Sequence, residues 1–347
     1  KQRSGDFFMS EPVTIKRGTE IELEIESLAY GGMGLARIEN FVIFVKHAIP
    51  GQKVLARIYK KRKGYAEAQV LKTLVESPNA VDVCCKHYWI CSKIQSLSYD
   101  EQIKEKSSQV EDAFVRLGGF LSFKLDKVQK ANLIYHYRNK MEFTFSPNRW
   151  VLESEPEGVD KSFALGLHIP GRFDKILDIH NCHIQPEIGN KILAAAREVC
   201  LANPELKPYD PRSHIGFLRF LMLRFGVNTG DLMVNVVTSY HDIDKLSPLT
   251  DLLLEKFPEI TSLVNNVNTR KADVAFGEYE TLLYGKPFIQ EKIGDLTFEI
   301  SANSFFQTNT TQGEVLYKEV EEALELRGDE IIYDLYCGTG TIGLYLS

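Results

Sequence analysis

The closing stretch of the chain, Glu330 to Ser347, reads EIIYDLYCGTGTIGLYLS and narrows the fold more than any other. Ile331, Ile332 and Tyr333 make a short β-branched and aromatic run, which predicts a buried strand ending at Asp334. A glycine loop follows, Cys337-Gly338-Thr339-Gly340-Thr341, and then Ile342, Gly343, Leu344 and Leu346, where a helix should open. Strand, glycine turn and helix start together form a crevice for a nucleotide-bearing cofactor. Glycines let the backbone come close to a ligand, and the first turn of a helix leaves N–H groups unpaired. By itself the pattern suits a nicotinamide cofactor, S-adenosylmethionine (AdoMet), or a plain glycine turn in an α/β sheet.

The residues around the loop narrow this choice. Asp334-Leu335-Tyr336-Cys337-Gly338-Thr339-Gly340-Thr341 resembles the first AdoMet-binding motif of class I methyltransferases, and most of all that of the RNA 5-methyluridine (uracil-C5) methyltransferases. Upstream, Ser304-Phe305-Phe306-Gln307-Thr308-Asn309 leads into Thr311 to Leu326, which reads as a helix with Val315, Leu316, Val320 and Leu324 on its apolar face. This Phe-Phe-Gln-x-Asn pattern is similar to one that the same family carries. The resemblance implies that Gln307, Tyr336 and Thr341 contact AdoMet and that Gly338 and Gly340 shape the loop. It also implies that Phe305 and Phe306 line the place where a flipped uridine enters. Without the resemblance, the two phenylalanines read as core residues beside a polar helix cap. Cys337 reads as a small packed residue of the loop.

With 347 residues, 44% of them hydrophobic, the chain is long and apolar enough for two or three domains with sizeable cores. No run of about 18 apolar residues occurs, so no membrane span is expected. Lys1 to Gly18 is polar and basic, unlike a secretory signal. The net charge of −6 excludes a chain that is basic throughout but leaves room for a local basic patch. Six unevenly spaced cysteines suggest reduced thiols and a cytoplasmic protein.

Near the amino terminus the pattern changes to short strands. Thr19 to Ile25 alternates Ile21, Leu23 and Ile25 with Glu20, Glu22 and Glu24. Tyr30 to Gly34 reads as a turn, Phe41 to Val45 as a buried strand, and Lys53 to Tyr59 and Tyr65 to Leu71 as two more. So many strands in so short a span predict a small closed barrel of the OB type. Lys60, Lys61, Arg62 and Lys63 fall in one connection. They read either as a solvated hairpin tip or as phosphate contacts for RNA. The segment IESLAYGGMGLAR…FVIFVKHAIPGQKVLARIYKKRKGYAEAQVL resembles the TRAM domain, an RNA-binding barrel.

Cys85 and Cys91, followed by Gln95 to Gln102, resemble the iron–sulfur segment of the 5-methyluridine family, with Cys182 in the position of its distant fourth cysteine. The third position holds Ser92, and the two usual glycines are missing. A 4Fe-4S cluster takes four thiolates. Cys85, Cys91 and Cys182 supply three, and adjacent Cys84 is an awkward fourth. The alternative is a degenerate site of reduced thiols.

The middle of the chain mixes strands and helices. Tyr99 to Gly118 reads as a helix with Ile103, Val110, Phe114 and Leu117 near one face, and Glu187 to Leu201 as another. Tyr137 to Phe145 is an alternating strand, and Ser154 to Ser162 a polar loop. Leu165 to Lys175, Asn228 to Val234 and Tyr284 to Pro287 carry hairpin signals, the last preceded by Arg270-Lys271-Ala272-Asp273. Arg138 and Lys140 lead the candidates for RNA contact, followed by Arg172, Lys175, Arg219 and Arg224. For each singly, a solvated or structural salt-bridge role is the alternative.

The resulting expectation is a multidomain α+β protein with an α/β part. Residues 1–75 form the TRAM barrel, 76–92 and 125–296 a central domain, and 93–124 and 297–347 the opening portion of a Rossmann-like methyltransferase domain. The resemblance implies AdoMet-dependent methylation of uridine C5 in structured RNA, leaning to 23S ribosomal RNA with transfer RNA as the alternative, by a monomeric enzyme. It implies a cysteine nucleophile and a glutamate base, both expected after Ser347, so the catalytic set is not expected within these residues. On that expectation these residues alone would not transfer methyl groups. The rivals are a non-catalytic RNA-binding module and a nicotinamide dehydrogenase.

Overall fold

The computed structural model describes residues 15–272 and 274–347. The reading of residues 1–14 and of Asp273 therefore lies outside the described residues. The chain divides into two compact units, one reaching to Lys130 and the other running from Ala131 to Ser347.

In the first unit, β1 (Glu20–Glu24), β2 (Ser27–Ala29), β3 (Met33–Ile38), β4 (Phe41–Lys46), β5 (Lys53–Lys61) and β6 (Tyr65–Val75) form one sheet in the order β1-β5-β6-β4-β3-β2. β1 pairs with β5 and β2 with β3, while Ile25 N–H donates to the Gln52 carbonyl and Glu26 N–H to that of Leu35. The stretch from β1 to β2 thus joins both ends of the sheet and closes it into a barrel. The period-two pattern explains the filling: Ile21, Leu23, Ile43, Val45, Val54, Ala56, Ile58, Ala66 and Ala68 point inward. The predicted turn at Tyr30 to Gly34 is shorter, because Met33 and Gly34 already belong to β3.

Two helices follow, α1 (Tyr88–Cys91) and α2 (Tyr99–Asp112), the latter running on as a π-helical turn over Ala113–Leu117. Both lie in the first compact unit and are bonded to the barrel. Leu28 N–H donates to Glu105, Gln109 donates to the Leu28 carbonyl, and Leu97 packs on Leu28 and Ile49. The predicted apolar face of α2 is solvent-facing, with Val110 39% and Leu117 81% exposed.

The second unit holds a mixed sheet of β7 (Lys140–Ser146), β8 (Arg149–Trp150), β9 (Ala164–His168), β10 (Ile176–Asp178), β11 (Leu218–Phe225), β12 (Leu232–Thr238), β13 (Ser262–Val267) and β14 (Tyr279–Gly285). Its order is β14-β13-β12-β11-β7-β9-β10-β8, with α3 (Glu187–Ala202) and α4 (Ile243–Lys256) packed together. β11, β12 and β13 are buried along their whole length, as central strands covered on both faces must be. The Tyr284 to Pro287 signal marks a corner, not a hairpin, because β15 (Phe288–Ile293) leaves the large sheet and pairs only with β16 (Leu296–Ser301). Then come α5 (Thr310–Leu324) and α6 (Thr341–Tyr345). One core joins these pieces: Met233 and Val264 of the sheet, Ile289, Ile293 and Ile300 of the β15–β16 pair, Phe306, and Tyr317 of α5. Ile342 and Tyr345 of α6 pack against it.

Candidate functional site

The core just described places the two motifs of the sequence side by side. Asn309 caps α5, its side chain accepting from Gln312 N–H at 3.1 Å. α5 buries Thr310, Gly313 and Tyr317, a helical spacing, and leaves Leu316 and Leu324 exposed, contrary to the face predicted from its aliphatic residues. Tyr317 hydroxyl meets Thr341 Oγ1 at 3.1 Å in a buried contact, and the Tyr317 ring lies 5.6 Å from that of Tyr345. Thr339 Oγ1 donates to the Phe305 carbonyl at 3.3 Å. Two hydroxyl contacts therefore fasten the glycine loop, one to the segment that carries Gln307 and one to α5.

The loop itself turns through Gly338 (φ 57°) and Gly340 (φ 75°), with Gly340 N–H donating to the Cys337 carbonyl at 2.8 Å. No atom lies within 4 Å of where a Cβ would stand on either glycine, so their backbone is open to a ligand. Tyr336 is exposed. Gln307 is half-buried, and its side-chain amide has no hydrogen-bond partner among the described residues. Cys337 is exposed, not packed as expected. The residues before the loop do not form the predicted strand. Ile331, Tyr333 and Leu335 are exposed, because a strand needs a neighbour to bond with and none of the described strands pairs with them.

The two phenylalanines behave differently. Phe306 is a core residue, its ring 5.9 Å from Phe298, so it does not face a nucleotide. Phe305 is 65% exposed and can.

Beneath Gln307 lies a polar chain that the sequence reading missed. Asn139 Nδ2 donates to the Gln307 carbonyl and to Thr310 Oγ1, each at 2.8 Å. Thr310 hydroxyl donates to Glu291 at 2.8 Å, and fully buried Glu291 also accepts from Val227 and Asn228 N–H. The available signal was Asn139 itself, a short amide between two charged residues of a strand with nothing local to bond.

The RNA candidates separate by exposure. Lys60 and Lys61 end β5, and Arg62 and Lys63 make the exposed tip. Lys60 pairs with Glu67 at 2.5 Å, and Lys61 lies 5.7 Å from the Phe41 ring. The Glu67 carboxylate holds the Lys60 ammonium above its usual range and is itself lowered by it. Arg138 Nε donates to the Lys140 carbonyl, and Lys140 pairs with Glu142 at 2.5 Å. Arg219 and Arg224 differ from the RNA contacts expected of them: both are buried and structural, their guanidinium groups bonding backbone carbonyls of Asn268 and Arg270, and of Ala302 and Ser304. Burial pushes Arg224 down to about 10.

The cysteines do not fit a four-thiolate cluster. Among the described residues no group of three or more potential ligands could hold a metal ion. Gln95 Oε1 accepts from Cys85 N–H and from the Cys84 and Cys85 thiols. Burial, with Cys84 and Cys91 nearby, pushes the Cys85 thiol up to about 11.

Residues 15–71 match the TRAM domain family. An uncharacterized RNA methyltransferase of Chlorobaculum tepidum is 42% identical over 97% of this chain and 71% of its own length. One from Porphyromonas gingivalis is 39% identical over 94% of this chain and 72% of its own. Among solved structures, the Pyrococcus abyssi tRNA (uracil-54, C5)-methyltransferase in complex with S-adenosyl-L-homocysteine superposes with a TM-score of 0.69 at 26% identity, over 94% of this chain and 70% of that one.

Proposed function

The chain belongs to the RNA methyltransferase family of these relatives, and from that premise we propose that it serves AdoMet-dependent methylation of uridine C5 in RNA. The observation that carries the reading is the double fastening of the glycine loop, by Thr339 to the Phe305 carbonyl and by Thr341 to Tyr317 of α5, which holds it beside Gln307. A loop with open glycines and an unengaged amide beside it is what a polar nucleoside cofactor requires. Bound AdoMet would supply the methyl group. Gln307, Tyr336, Gly338, Gly340 and Thr341 would hold it, and exposed Phe305 would offer a ring to an unstacked base. Carbon 5 of uracil is a poor nucleophile, so the reaction calls for a thiolate adding at carbon 6 and a base for the carbon 5 proton. No described residue is assigned to those two roles.

The barrel, with its exposed Arg62 and Lys63, is the proposed first contact with RNA phosphates. The described residues include no helix long and apolar enough to cross a membrane. Ribosomal RNA is the favoured substrate; the likeness to an enzyme named for transfer RNA keeps that second substrate in view.

The test has two parts. Calorimetric titration with S-adenosylhomocysteine should give binding that Gln307→Ala weakens by about tenfold. Mass mapping of 5-methyluridine in ribosomal and transfer RNA from a strain lacking the gene should show one position losing its methyl group. Binding of NAD in place of S-adenosylhomocysteine would overturn the proposal.

A further inference from the structure

Away from the glycine loop, the second unit has a concavity of about 480 Å³ between the 207–217 segment, the end of β12 and the loop after β13. That volume falls within the range of about 300–1,000 Å³ typical of small-molecule sites. Its lining includes Lys207, Lys245 and Lys271, and no carboxylate among the described residues. The inner wall is aromatic: the Phe217 and Tyr240 rings lie 4.9 Å apart at 44°, and Lys245 Nζ sits 5.4 Å from the first and 5.8 Å from the second. Tyr240 is 42% exposed. A ring open to solvent, Tyr240 backed by buried Phe217, beside ammonium groups matches a nucleotide, with a base to stack and a phosphate to pair.

The rim is built. Arg219, 1% exposed, donates to the carbonyls of Asn268, Arg270 and Ala272 and stacks 4.4 Å from the Tyr209 ring, which holds the loop carrying Lys271. Gly216 sits at φ 127°, where a Cβ would stand 2.2 Å from the Pro208 carbonyl oxygen, and Ser239 hydroxyl donates to the Gly216 carbonyl at 2.6 Å. The opposing features are Glu278, whose carboxylate accepts from Thr269 N–H and from Arg270 Nε, and Glu205, which reaches Lys245 at 3.3 Å but whose side chain is 74% exposed and free to swing away.

We propose that this concavity is a second RNA site, which takes one unpaired nucleotide of the substrate strand by stacking on Tyr240 and pairing phosphate with Lys207 and Lys271. The proposal rests on the reading of the chain as an RNA methyltransferase. In a chain of net charge −6 such a local cluster of cations is the complement of a polyanion.

The experiment uses the whole chain and a fluorescein-labelled single-stranded RNA carrying 4-thiouridine. Lys207→Ala with Lys271→Ala should weaken binding about tenfold and lower the slope of log K against log salt by about 1.4, the value for two lost single-strand phosphate contacts. Tyr240→Ala should weaken it about fivefold to hundredfold, one lost stack, with an unchanged melting temperature in both variants. Irradiation should attach RNA to the peptide containing Tyr240. Variants within twofold of the parent, or crosslinks confined to the Lys60–Tyr65 hairpin, would overturn the site alone. Absence of RNA binding by the parent would instead remove the functional reading on which the site rests.

Discussion

Tyr317 of α5 and Thr341 of α6 share a buried hydrogen bond of 3.1 Å, across 24 residues of sequence. It is the inner of the two fastenings that hold the glycine loop on the core. Tyr317→Phe keeps the ring and removes the hydroxyl. The expected cost is about 1 kcal/mol. That should lower the melting temperature by about 2–4 °C. Calorimetry should also show S-adenosylhomocysteine binding weakened by about tenfold. An unchanged affinity would mean that the loop holds its shape without α5.

Asn139→Ala should be more costly than an ordinary strand substitution. It leaves the Gln307 carbonyl and Thr310 Oγ1 without their donor at a buried point. A loss of about 2 kcal/mol is expected from urea unfolding. Glu291→Gln should cost a similar amount, because it turns an NH₂ group toward N–H groups that now donate to a carboxylate.

At the barrel hairpin, Arg62→Ala with Lys63→Ala should lower the salt dependence of RNA binding by about 1.4 to 1.8 in log–log slope. Lys60→Ala should change it far less, since Glu67 already engages that ammonium. Fluorescence anisotropy at several salt concentrations distinguishes these outcomes. Equal effects from all of them would show that Glu67 releases Lys60 to RNA.

Two buried thiols make stability sensitive to alkali. Burial raises Cys200 from 9.0 to about 12 against a lowering by Arg197, and Cys85 rises to about 11. Folding thus holds these protons more tightly than the unfolded chain does. Their contribution is intact below about pH 9 and is lost as pH climbs through 11 to 12. The urea midpoint should fall over that window, and Cys200→Ala should shallow the fall. A thiol reagent at pH 8 should modify exposed Cys84, Cys91 and Cys337 before Cys85, Cys182 and Cys200.

What could be read from sequence follows the range of each interaction. The alternation of Ile21, Leu23 and Ile25 with glutamates is a local pattern, and it predicted β1 and much of the barrel. The glycine loop and Asn309 are local as well. The strand at Ile331 to Tyr333 failed because a strand is a property of two segments. The α5 face failed because the aliphatic pattern passed over a tyrosine whose hydroxyl finds a partner far along the chain. Arg219 and Arg224 read as surface charges. Only the sheet shows that every residue of β11 is buried and that these two guanidinium groups hold loops in place.

The stretch from β1 through Glu26 to β2 joins both ends of the barrel's own sheet, and this limits how that domain can meet other molecules. A sheet sealed on itself has no unpaired backbone rim to lend, so strand addition by a peptide or a second copy is barred along the closed seam. Whatever docks there must be gripped by the tips of side chains. Its recognition can therefore be retuned by exchanging single exterior residues, leaving the ladder of main-chain bonds untouched.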